Sequence, residues 1–113
     1  MSNYNPDQWL VVKINSNAPH YRVFATWSGG YLGGDSWKLN SGITAITEDE
    51  NHYHFSGSSG SVYSCHKDSY GSNGYGWSVL NRMIDDATVQ GYDIVVIKED
   101  ANFATLNYTE NQL

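Results

Sequence analysis

At 113 residues, with 40% hydrophobic residues and a net charge of −6, the chain is sized and composed for one globular domain. Aromatics reach 14%, with four tryptophans and nine tyrosines, which excludes a disordered chain lacking the apolar surface to offset its ordering entropy. Only six Lys or Arg are present and they are scattered, which argues against a nucleic-acid partner; a 16% charged fraction is likewise too thin for the dense acidic face of a nucleic-acid mimic.

The N-terminus (Met1 to Gln8) has no basic start and no apolar run, so it does not read as a secretory signal. No stretch approaches the roughly 18 apolar residues that span a bilayer, so no membrane partner is expected and the simplest compartment is the cytoplasm. A virion component without a signal would look the same. Residues 8–14 read as a strand rich in β-branched side chains. A turn from Asn15 to Pro19 leads to alternating residues 20–27, so the two strands are expected to form a hairpin.

A glycine-aromatic loop follows, from Trp27 to Trp37. Residues 36–40 alternate as a third strand, Ser41-Gly42 breaks or bulges it, and residues 43–47 continue as a fourth. An acidic turn (Glu48 to Asn51) leads into residues 52–56, Gly57 to Gly60 turn, and 61–65 return. This acidic turn, like Asp85-Asp86 and Glu99-Asp100, reads as solvated turn or helix surface.

A second glycine-aromatic stretch, Asp68 to Trp77, enters a helix over about 76–88. Trp77, Leu80, Ile84 and Ala87 define its apolar face, and Gly91 is placed to terminate it. The run Ile94-Val-Val-Ile97 suggests a strand covered on both faces, interior to a sheet. From Asp100 the tail reads as a short edge strand or a frayed end. The order predicts a single α+β domain: a curved, mainly antiparallel sheet of about six or seven strands with one helix packed on one face.

Chemistry is expected at three places. A four-residue turn at Gly57 to Gly60 would pair residue 56 with 61, 54 with 63 and 52 with 65. His52, His54, Tyr63 and Cys65 would then share one face, and Tyr53, Phe55 and Val62 the other. Two imidazoles at i and i+2 with a thiolate across the strand permit a zinc site, and Cys65 beside His52 permits an activated thiol. The competing expectation is no cofactor: a polar outer face and an inert thiol, since no CxxC or HExxH motif accompanies the cluster. Cys65 is the only cysteine, so no intrachain disulfide forms.

The amides of Gly74, Tyr75 and Gly76 open a helix, where backbone donors and the dipole favour an anion. No P-loop lysine follows them. Finally, Tyr31, Leu32, Tyr70 and Tyr75 stand among small polar residues, the composition of a contact surface. Trp27, Trp37 and Trp77 are expected in the flanking core elements.

The run from Tyr31 to Ile43, followed by Tyr53 to His66, resembles small uncharacterised proteins of tailed bacteriophages. The resemblance covers about half the chain and carries no catalytic motif. It implies a small protein that binds and blocks a host protein. The expected function is therefore a non-catalytic binding module with a protein partner. The alternatives are a carbohydrate-binding module and a metal- or thiol-dependent enzyme centred on His52, His54 and Cys65.

Overall fold

The computed structural model describes residues 3–29, 34–106 and 108. In chain order the strands are β1 (Asn3–Tyr4), β2 (Gln8–Asn15), β3 (His20–Trp27), β4 (Ser36–Leu39), β5 (Ile43–Glu48), β6 (His52–Gly57) and β7 (Val62–His66). The helix α1 (Gly74–Gln90) and β8 (Asp93–Val96) follow. Short 3-10 turns lie at Lys67–Ser69 and Phe103–Thr105. This is the expected α+β fold, mainly antiparallel with one helix among the described residues. Its strands divide between two four-stranded sheets, β1-β7-β6-β5 and β4-β3-β2-β8.

The division follows from β2. Its residues alternate between two burial environments, both apolar. Trp9 and Val11 join Val23, Ile43, Phe55, Tyr63 and Cys65 between the two sheets. Leu10, Val12 and Ile14 join Phe24 and Leu80 under the helix. The molecule therefore has three layers, sheet on sheet on helix, and β2, like β3 beside it, is covered on both faces. β8 is not. It pairs with β2 alone at the sheet edge, and Val95, opposite Lys13, is 46% exposed. Ile94 and Val96 face the helix core, which explains the apolar run without an interior position.

The chain changes sheet between β4 and β5. Asn40 is buried at the crossing. Its backbone N–H donates to Val23 O at 3.0 Å and its side-chain Oδ1 accepts from Val23 N–H at 2.8 Å, so the side chain completes the ladder where β4 stops. Gly42 follows with φ 131°, a backbone that L side chains rarely adopt.

Helix α1 starts earlier and ends later than the apolar stripe predicts. Asn73 caps it, accepting from Gly76 N–H at 2.7 Å. Gly91 closes it in the left-handed region at φ 94°: its N–H donates to Thr88 O, and Tyr92 N–H to Ala87 O, a Schellman pair. Gly76, Leu80 and Ala87 are the buried positions. With the helix seated on Gly76, Trp77 turns to the rim and is 38% exposed. After Asp100 a 3-10 turn delivers Phe103 to the inter-sheet core, where Tyr108 is also buried; the rest of the tail expected as an edge strand or frayed end lies outside the described residues. No helix among the described residues is long and apolar enough to cross a membrane.

Candidate binding cleft

The β6–β7 hairpin has a register one residue away from the expected one. Gly57 N–H donates to Ser61 O and Gly60, at φ 93°, turns the corner, so the loop holds one residue more. His52 faces His66, Tyr53 faces Cys65, His54 faces Ser64 and Phe55 faces Tyr63. A one-residue slip moves every side chain to the opposite face. The histidines and Cys65 are therefore separated. Cys65 is fully buried in the inter-sheet core, and burial pushes its thiol well above the ordinary range. Neither the His52–His54–Cys65 zinc set nor a Cys65–His52 thiol pair is brought together.

His52, His54 and His66 instead form a partly exposed cluster with Ser64. The ring centroids of His52 lie 5.8 Å from His54 and 5.1 Å from His66. His54 Nε2 bonds Asp49 Oδ2 at 2.8 Å, and Nδ1 meets Ser64 Oγ at 2.8 Å. Asp49 Oδ1 also accepts the amides of Asn51 and His52. These bonds, the one to His54 first, hold the Asp49 carboxyl far below its ordinary value. The chain Asp49–His54–Ser64 is a strut tying the β5–β6 turn to the sheet. Among the described residues, no group of three or more His, Cys, Asp or Glu is arranged to hold a metal ion.

At the helix entrance, the amide of Gly76 is already taken by Asn73. Asn73 Nδ2 in turn reaches Asp35 Oδ2 and Ser28 Oγ, both at 3.4 Å. An anion drawn to the amides of Gly74 and Tyr75 would meet this carboxylate nearby.

Of the four expected contact residues, Tyr31 and Leu32 lie outside the described residues. Tyr70 is a core residue. Its ring packs edge-on to Trp9 with centroids 4.7 Å apart, and its hydroxyl donates to Ile97 O at 2.5 Å while accepting from Val11 N–H at 3.2 Å. Burial pushes its phenol up to about 12. Tyr75 is exposed, at 41%.

Tyr75 lines a cleft of about 560 Å³ between α1 and the β4 edge. Trp37 forms the opposite wall, 37% exposed and stacked on Phe24 at 5.8 Å with rings 20° apart. The helix side is Tyr75, Ser78, Val79, Arg82, Met83 and Asp86. These positions advance by three and four, a second stripe beside the one that packs on the sheet. A smaller hollow, of about 310 Å³, shares Met83 and Asp86 and continues toward Arg22 and Tyr92. Trp37 reaches this surface from β4, the end strand of its sheet among the described residues, on the helix-side face that Leu39 shares.

Sequence reasoning missed Arg82, Met83 and Asp86. Their signal was the i, i+3, i+4 spacing from Tyr75, passed over because one apolar stripe already accounted for the helix. Asp49, Ser64 and His66 were missed through the register. No family model matches the sequence, and neither a curated protein nor a solved structure matches it.

Proposed function

We propose that the protein is a small non-catalytic binding module for a protein partner, and that the cleft between α1 and β4 is its contact surface. The observation that carries this is the pair of exposed rings, Trp37 and Tyr75, facing each other across a cleft that also holds Arg82. Trp, Tyr and Arg are the side chains that dominate binding energy at interfaces, because they combine large apolar area with a polar handle. The outer edge of β4 has no strand partner among the described residues, so an extended segment could add to the sheet and place a side chain in the cleft. The resemblance to phage proteins supports a bacterial host protein as partner and the cytoplasm as the place of action. The test is capture from a bacterial lysate by the immobilised protein. At least one captured protein should be lost with both Trp37→Ala and Tyr75→Ala; an identical set of captured proteins in all three experiments would overturn the reading.

A carbohydrate ligand is the second reading. Two rings flanking a cleft with Arg82 and Asp86 on its helix side offer stacking faces together with hydrogen-bonding groups. A glycan array separates the two: specific glycan signal lost with Trp37→Ala favours the sugar.

A further inference from the structure

We infer that a separate hollow, between the β2–β3 turn and the β4–β5 crossing, binds a small oxyanion through Arg22. The inference does not rest on the cleft, although Arg22 also lines the smaller hollow that Asp86 shares with it. The hollow is about 280 Å³ and is lined by His20, Arg22, Ser41, Gly42 and Ser58 among others. In a chain of net charge −6, its one permanently charged lining residue among the described residues is a cation.

Arg22 is half-buried on β3 and is held by neutral partners. Its Nε donates to His20 Nε2 at 2.8 Å, and Nη1 donates to Asn40 O at 3.3 Å. Arginine can only donate, so His20 Nε2 is the acceptor. Its Nδ1–H then donates to Ala18 O at 2.8 Å. The tautomer is thereby set from both sides. No carboxylate among the described residues lies within ion-pair distance of Arg22. A guanidinium has five N–H donors in a planar fork, and these two bonds leave the rest for a ligand.

The serines supply a further donor. Ser41 Oγ accepts from Ser59 N–H at 2.9 Å and from Ser58 Oγ at 3.0 Å. With both acceptor positions filled, the Ser41 O–H is left to donate. A pre-oriented guanidinium beside a hydroxyl donor suits the paired oxygens of a carboxylate or a phosphate. The hollow has room for a small molecule carrying such a group.

The test is a titration of the whole chain at constant ionic strength, followed by NMR of the Arg22 side-chain Nε–H and the Gly42 amide. Inorganic phosphate and acetate form separate arms, and sodium chloride is the control. Saturable shifts are expected in at least one oxyanion arm, and the stronger arm identifies the preferred geometry. Arg22→Gln should weaken binding about tenfold or more, because a charge-assisted hydrogen bond is lost. Ser41→Ala, which leaves the guanidinium in place, should weaken it several-fold and keeps the test valid should Arg22→Gln not fold. Shifts that do not saturate, or that match the chloride control, would overturn the site. So would binding that appears only in Asp86→Asn, since a carboxylate of the chain itself would then be the occupant.

Discussion

Asp49 shows how one exposed side chain organises a turn. It accepts from two backbone amides and from His54, and all three interactions favour its ionised form. Its folded pKa is therefore depressed below the ordinary 3.8 of the unfolded chain. The sign follows from linkage: the contribution is fully present above the unfolded value and is lost as pH falls through the lower folded value. Because Asp49 is exposed, solvent and salt screen much of the effect. Asp49→Asn should thus be less stable than the wild type at neutral pH by denaturant unfolding, with the gap closing below pH 3.8. A gap that stays constant into acid would show that the strut is not electrostatic. None of this was legible in the sequence. Glu48-Asp49-Glu50 reads there as a solvated acidic turn, and the link to His54 depends on how strands β5 and β6 pair.

At the scale of elements, signals that stay within a few residues were legible and signals that cross the chain were not. Gly91 marks the end of α1 because capping is local chemistry, while the N-cap Asn73 is missed and the expected start falls two residues late. The β2–β3 hairpin follows from alternation and a short turn. The β6–β7 register does not, because it depends on whether Ser61 belongs to the turn or to the strand, and that one residue decides the face of Cys65. The pairings β1 with β7 and β2 with β8 join distant segments, so nothing local announces two sheets. Gly76 belongs to the same class: the sequence presents a flexible glycine, while the fold uses its missing side chain. A Cβ there would lie 2.5 Å from Thr26 Cγ2 on β3 and would also strike Ser72 Oγ. Alanine normally favours a helix over glycine by about 1 kcal/mol. Here the clash reverses the sign, and Gly76→Ala should destabilise by about 1–3 kcal/mol, as overpacking does. Urea unfolding gives the value, and a stabilised Gly76→Ala would mean that the helix and β3 are further apart than described.

The two cores share the strands β2 and β3. β2 contributes Trp9 and Val11 to the core between the sheets, and Leu10, Val12 and Ile14 to the core beneath the helix. A helix that merely decorated a β-sandwich could detach first, but α1 is held through a strand that the other core also needs. Leu80 tests this. It is fully buried under the helix, and Leu80→Ala removes packing worth about 2–5 kcal/mol. Trp9 is the one fully buried tryptophan among the four, and it sits between the sheets rather than under the helix. Its emission therefore reports on the far layer, while far-UV circular dichroism at helical wavelengths reports on α1. If β2 couples the layers, Leu80→Ala shifts both unfolding curves to lower urea by the same amount and they remain superimposed. Loss of helical signal well before the change in Trp9 emission would mean that the helix layer melts on its own. The cleft would then rest on a wall that comes and goes, and Tyr75, Arg82 and Asp86 would face Trp37 only part of the time.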